Sequence, residues 1–258
     1  MRVQESETTH KEFLLSVGAG LDTLIPIPLD LKTNNNQLEE LIEFVYPNLR
    51  NPGTDSIILT TKNRTVDMIN SLVIEKLDQI PRVYASADSI EESEDINSAM
   101  FPVEFLNSLN ISGMPEHLLR LKIGVPVMLI RNLNPRNGLS NGTRMIIVGL
   151  NEHSIECQVS TGKAKGQIIL LPRIDFIANN SKLPFKLRRR QFPIRVCFAM
   201  TINKSQGQSL DKVGIYLEES VFSHGQLYVD LSRARTRNGI RIVAPNTMLQ
   251  NIVYHEVL

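Results

Sequence analysis

The chain has 258 residues, 42% of them hydrophobic, and a net charge of +1, enough apolar material for one large core or two smaller ones. No apolar run approaches the roughly 18 residues of a membrane span, and the early FLLSV is too short and too poorly flanked for a signal peptide; the expectation is an intracellular protein with no membrane partner. Cys157 and Cys197 stand apart without a second ligand at metal spacing, and the five histidines form no paired motif, which points to buried free thiols and no metal site.

In chain order, NNQLEELIEFVYPNL places Leu38, Leu41, Ile42 and Val45 at helical spacing, with Asn36 and Glu39 as a capping pair. SIILTTKN reads as a buried strand ended by hydroxyls and an amide, and TVDMINSLVIEKL as the helix after it. DSIEESED (Asp88 to Asp95) reads as an acidic surface loop, with PVEFLNSL and PEHLLR as short helices beside it. From about Leu121 the period changes. VPVMLI, TRMIIVGL, SIECQVST and GQIILLPRI are four strand-like runs joined by the hairpin turns NPRNGLSNG and STGKAKG, a small antiparallel barrel or sandwich. After NNSKLPF the order is PIRVCFAM as strand, NKSQG as turn or helix start, VGIYL as strand, HGQLYVDLSRAR as helix and GIRIVA as strand. Such alternation predicts a mainly parallel sheet interrupted by a β module.

Two stretches carry chemistry. In FAMTINKSQGQSL, the residues Thr201, Asn203, Lys204, Ser205, Gln206 and Gly207 follow a strand end, where ligands of open α/β sheets collect. Hydroxyls, amides and an ammonium suit a phosphodiester, and Gly207 allows close backbone approach; an ordinary polar loop with a glycine cap stays open as the alternative. In HGQLYVDLSRAR, Leu227, Leu231 and Ala234 share one helical face while Gln226, Asp230, Arg233 and Arg237 share the other. A guanidinium on that polar face suits phosphate oxygens. The basic runs KLRRRQFPIR (Lys186 to Arg195) and RARTRNGIR (Arg233 to Arg241) add the charge that draws a nucleic-acid backbone. TGKA lacks the flanking residues of a P-loop and reads as a hairpin turn, and Glu218 and Glu219 after VGIYL read as loop residues.

FAMTINKSQGQSL followed by VFSHGQLYVDLSRAR resembles motifs V and VI of the petite-integration-frequency (Pif) type DNA helicases, above all their Helitron-like branch. IILTTKNRTVDMIN is similar to motif IV, and FLNSLNISGMPEHLLRLKIGVPVMLIRNLNPRNGLSNGTRMIIV, LPRIDF and PFKLRRRQFPI extend the likeness from about Leu41 to Val243. The resemblance implies an α/β fold: a RecA-like parallel sheet with an inserted small SH3-like β-barrel. Residues 1–120 begin the second RecA-like lobe of a superfamily-one helicase, 121–182 form the barrel, and 183–258 complete the lobe. It implies contacts to DNA from Thr61, Asn63, Thr201, Asn203, Lys204 and Ser205, a nucleotide cleft faced by Gln206 and Gly207, and Arg233 as the catalytic finger on the γ-phosphate. Such enzymes move 5′ to 3′ on single-stranded DNA and use ATP and Mg2+; they serve replication, repair, recombination, telomere maintenance or transposition in the nucleus or mitochondria. The P-loop and magnesium-binding acids of an N-terminal RecA-like lobe are missing here, so this chain alone is expected to hold neither cofactor and not to act as an ATPase, with that lobe and single-stranded DNA as partners. A non-catalytic nucleic-acid-binding fragment, or a transposon relic, is the alternative. One residue departs from the pattern: Asp230 stands where relatives commonly have alanine, one turn before Arg233, and is expected to pair with it.

Overall fold

The computed structural model describes residues 2–33, 35, 37–50, 52–53, 55–91, 101–178, 183–254 and 256. In chain order its elements are α1 (Arg2–Ala19), β1 (Leu24–Pro26), α2 (Leu38–Val45), β2 (Ser56–Thr60), α3 (Asn63–Glu75), β3 (Arg82–Ala85), β4 (Ala87–Ile90), α4 (Val103–Ser108), β5 (Leu118–Leu121), β6 (Pro126–Leu129), β7 (Arg144–Leu150), β8 (Ser154–Val159), β9 (Ile168–Pro172), β10 (Ile174–Ala178), β11 (Leu187–Gln191), β12 (Ile194–Val196), β13 (Ala199–Thr201), β14 (Lys212–Tyr216), α5 (Gln226–Leu231), β15 (Ile240–Val243) and β16 (Met248–Gln250). They fall into two compact units, Met1–Leu77 with Phe198–Leu258, and Asp78–Cys197.

The first unit is built on a parallel sheet in the order β13-β2-β14-β15. Ile57, Ile58 and Leu59 of β2 are all buried, the continuous apolar pattern of a strand covered on both faces. α2 sets Leu41, Ile42 and Val45 at helical spacing and buries all three. It lies on β14 at Gly214, where an added Cβ would stand 2.7 Å from Val45 Cγ2 and 2.9 Å from Leu41 Cγ. Val66, Ile69 and Val73 form the buried stripe of α3, which packs on β2 and β13. From that stripe the buried Asn70 Oδ1 accepts the backbone N–H groups of Phe198 and Ala199, both at 2.9 Å, fixing the entry into β13.

The second unit is antiparallel throughout: a five-stranded sheet β12-β6-β7-β8-β9, a three-stranded sheet β10-β11-β4 and the pair β3-β5. It is wider than the 121–182 module expected from the sequence, because β3 and β4 before that segment and β11 and β12 after it complete its sheets. The expected end of the module at residues 179–182 lies outside the described residues.

Several local expectations are corrected. PEHLLR is not a helix: Leu119 and Leu121 point inward while Leu118 and Arg120 do not, so the alternation makes β5, paired with β3. GQIILLPRI divides at Pro172-Arg173 into β9, which pairs with β8, and β10, which pairs with β11. PIRVCFAM also divides, since Cys197 N–H still bonds Pro126 O at 2.8 Å while Phe198 N–H already bonds Asn70. The described part of the acidic run is strand β4 rather than loop; residues 92–95 lie outside the described residues, as does Asn36 of the expected capping pair. At α2 the N-cap is Gln37, without a side-chain capping bond. The opening helix α1 was not anticipated.

Candidate nucleic-acid interface

The central strand β2 and its neighbour β13 end side by side, with Thr60 opposite Thr201. The chain leaves β2 through Thr61 and Lys62 into α3, whose first residue is Asn63; it leaves β13 directly into a 3-10 turn, Ile202–Ser205. One sheet end therefore gathers Thr61, Asn63, Thr201, Asn203, Lys204 and Ser205 from segments about 140 residues apart in the chain. Asn63, Asn203 and Lys204 are exposed and Thr201 is half-buried, whereas Thr61 and Ser205 are buried. Ser205 Oγ donates to Ile202 O at 2.6 Å, so its hydroxyl holds the turn together. Among the described residues Lys204 pairs with no acid.

After the turn Gln206 and Gly207 are exposed, and Gly207 takes φ +80°, a conformation that favours glycine. The next residue meets the arginine of the second motif. Arg233 Nη1 donates to Gln208 O at 3.1 Å, Nε to Val229 O at 2.8 Å and Nη2 to Ser232 Oγ at 2.8 Å. Leu210 and Ala234 form a parallel bridge, with Leu210 N–H bonded to Arg233 O at 2.9 Å. The Lys204 turn and Arg233 thus belong to one connected piece of structure, and α5 packs on that turn.

The polar face expected over Gln226, Asp230, Arg233 and Arg237 is not a face. α5 stops at Leu231 because the bridge to Leu210 draws the chain into extended pairing, while Ser232 Oγ and Arg233 Nε both take up Val229 O. Gln226 is buried and accepts Phe222 N–H at 3.0 Å. Arg237 belongs to a separate turn and forks onto Asp30 at 2.6 and 2.9 Å. Asp230 is fully buried, and neither carboxylate oxygen has a hydrogen-bond partner. The expected pairing with Arg233 is absent: the guanidinium is spent on three other acceptors. Burial raises the Asp230 carboxyl well above its ordinary range, against a smaller opposing pull from the charge of Arg233.

A polar cluster beside this site joins residues far apart in the sequence. Lys62 and Arg64 both hold Glu219, the latter at 2.7 Å, and Thr65 Oγ1 donates to Glu218 at 3.1 Å. The bond from Lys62, ahead of the other contributions, holds the Glu219 carboxyl below its usual range. These acids lie in the loop after β14, as expected. The signal for their partners was the lysine and arginine flanking Asn63, which only the parallel pairing of β2 with β14 brings to Glu218 and Glu219.

The two basic runs are largely neutralised. Alternation along β11 turns Arg189 inward, where it forks onto Asp88 at 2.7–3.1 Å and donates to Pro115 O and Leu106 O, each at 3.1 Å; Arg188 pairs with Asp175 and Lys186 with Glu91. β4 of the acidic run lies directly against β11 of the basic run. In the second run Arg235 pairs with Asp211, Arg237 with Asp30, and Arg241 lies 4.6 Å from the Phe44 ring centroid. Both cysteines are buried free thiols, and burial pushes Cys157 up to about 12. Among the described residues no three metal-ligating side chains converge, and no helix is long and apolar enough to cross a membrane.

The parallel sheet carries these motifs at its strand ends, and the antiparallel unit runs from Asp78 to Cys197. The family described as DNA helicase Pif1, 2B domain, matches residues 104–150. The ATP-dependent DNA helicase PIF1 of Homo sapiens is 34% identical over 195 residues, covering 74% of this chain and 28% of the human protein. The fold is similar to the Pif1 helicase from Candida albicans, with a TM-score of 0.63 at 20% identity over 98% of this chain and 57% of that one. It is also similar to Bacteroides Pif1 bound to ssDNA, with a TM-score of 0.57 at 25% identity over 88% of this chain and 52% of that one. The chain belongs with the Pif1-type helicases and matches about their C-terminal part; it spans little more than a quarter of the human relative's length.

Proposed function

We propose that this chain is the C-terminal lobe of an ATP-dependent 5′-to-3′ DNA helicase and grips the backbone of single-stranded DNA at the paired ends of β2 and β13. The observation that carries the proposal is the register of Thr60 against Thr201, which joins the residues of motifs IV and V in one surface. Lys204 supplies charge there, Asn63 and Asn203 supply amide donors, and Thr61 and Thr201 add hydroxyls. Groups of this kind hold sugar and phosphate without reading bases. Ser205 serves this surface through the turn its hydroxyl closes. In the complete enzyme, ATP and Mg2+ held by an N-terminal RecA-like lobe supply the phosphoryl chemistry. Gln206 and Gly207 line this chain's side of the cleft, and Arg233 provides the finger. To reach a phosphate Arg233 releases Gln208 O, which ties its movement to the loop that begins at Lys204.

The parallel sheet is read as RecA-like and the antiparallel unit as a small SH3-like barrel. Membership of the Helitron-like branch, a nuclear or mitochondrial location and a role in repair, recombination or telomere maintenance rest on motif resemblance. One observation favours a second reading, a nucleic-acid-binding module without a motor: the partnerless Asp230 lies beside an Arg233 already tied to internal acceptors.

Fluorescence anisotropy of the purified chain with labelled oligothymidylate tests the proposal. Lys204→Ala is expected to weaken binding several-fold and to reduce the slope of log affinity against log salt by about 0.7, the share of one phosphate contact on a single strand. Unchanged affinity and slope in both Lys204→Ala and Asn203→Ala would overturn it. Grafting Met1–Leu258 onto the first lobe of an active relative separates the two readings: ATP turnover that disappears with Arg233→Ala supports the motor, and no turnover in the parent graft supports the binding module.

A further inference from the structure

Two cations bracket one residue of the DNA grip. Lys62 is the N-cap of α3, Asn63 its first residue and Arg64 its second. β2 and β14 run parallel, with Leu59 opposite Ile215, so the chain leaves both strands at the same end of the sheet. After β14 it passes through Glu218, Glu219 and Ser220, all exposed, between the buried Leu217 and Val221. Leu217 N–H bonds Val243 O at 2.9 Å, and Phe222 N–H bonds Gln226 Oε1 at 3.0 Å. The exposed bridge is thus pinned at both ends, and Thr65 Oγ1, donating to Glu218 Oε2 at 3.1 Å, holds it against the start of α3.

This arrangement sets the Glu219 carboxylate where a phosphate could sit. Its Oε2 accepts from the Lys62 ammonium and its Oε1 from Arg64 Nη2, the latter at 2.7 Å. A carboxylate that offers one oxygen to each of two cations presents them with what the two free oxygens of a phosphodiester present. The side chains of Lys62, Arg64 and Glu219 are 37%, 65% and 48% exposed, and ion pairs so open to water are weak enough to exchange partners. Asn63, between the two cations, is exposed beside them.

We propose that Lys62 and Arg64 are two further contacts for the backbone of single-stranded DNA and that Glu219 occupies them as a stand-in for phosphate, so that DNA binds there by displacing the carboxylate. The proposal rests on the reading of the β2 and β13 ends as a DNA grip, and adds to that grip a competitor carried by the chain itself.

Fluorescence anisotropy of the full chain with fluorescein-labelled thirty-nucleotide oligothymidylate at low salt tests it. Glu219→Gln is expected to tighten binding about threefold, the worth of an exposed ion pair. In that background, Lys62→Gln with Arg64→Gln should flatten the slope of log affinity against log salt by about 1.4, the share of two phosphate contacts on a single strand. In a chain already carrying Lys62→Gln and Arg64→Gln, Glu219→Gln should add nothing. A gain that persists there would overturn the proposal, because the carboxylate would then repel DNA without occupying the cations. So would wild-type affinity in Glu219→Gln while Lys204→Ala weakens binding, an outcome that leaves the grip itself standing. No binding by either wild type or Glu219→Gln removes the grip and this proposal together. Circular dichroism of each variant should match wild type, since all three side chains reach solvent.

Discussion

Asp230 is the residue whose chemistry fits its place least. A carboxyl that is harder to ionise in the fold than in the unfolded chain binds its proton more tightly when folded, so stability falls as pH rises above the ordinary value of 3.8. Below that value both states hold the proton and nothing is lost. Asp230→Asn removes this titration. The gap in urea midpoint between variant and wild type should therefore be smallest near pH 4 and widen in the variant's favour toward neutrality; a gap that does not change with pH would contradict it. Asn70 is the opposite case, a buried amide whose oxygen satisfies two strand donors at once. Asn70→Ala should cost about 2–4 kcal/mol in urea unfolding, because two buried N–H groups lose their acceptor. Neither environment was legible beforehand: Asp230 read as part of a polar helical face, and Asn70 as one more residue of a predicted helix.

At the level of elements, what the sequence disclosed was periodicity, and what it concealed was pairing. The stripe of Leu41, Ile42 and Val45 was enough to find α2, and the apolar run Ile57 to Leu59 was enough to find β2 as a buried strand. The division of PIRVCFAM was not visible, since its residues are uniformly strand-forming and only their partners change. The end of α5 was hidden for the same reason, because the bridge between Leu210 and Ala234 competes with helix continuation. Of the candidate site, the loop from Thr201 to Gly207 and its place at a strand end could be read directly. The inward turn of Ser205 and the acceptors of Arg233 depend on contacts made by other segments. A small element decides the seating of α2: Gly214 lets the helix approach the sheet. Gly214→Ala should destabilise the chain by about 1–3 kcal/mol, through contact with Val45 and Leu41, and a thermal midpoint equal to wild type would show that the helix can shift without cost.

Across the whole molecule the near-zero net charge proves to be a sum of local cancellations. Runs that looked like opposing patches in the sequence lie beside each other as β4 and β11, with Arg189 and Asp88 almost completely buried. Breaking a buried pair from one side leaves an uncompensated charge, so Arg189→Met should cost about 3–5 kcal/mol of stability, and adding Asp88→Leu should restore much of it. Equal loss in the single and double variants would argue that packing rather than charge sets the cost. Electrostatic attraction to nucleic acid cannot then be general to the surface. Among the described residues Lys204 pairs with no acid, which is why it carries the binding prediction.

The strand order β13-β2-β14-β15 also has a consequence during synthesis. β2 leaves the ribosome well before both strands that flank it, which are encoded after Cys197. At roughly 5–20 residues per second, the nascent chain carries Ile57, Ile58 and Leu59 unmated for on the order of ten seconds. During that interval a chaperone or a neighbouring polypeptide competes for them, so the yield of native protein depends on how quickly translation delivers the segment after Cys197.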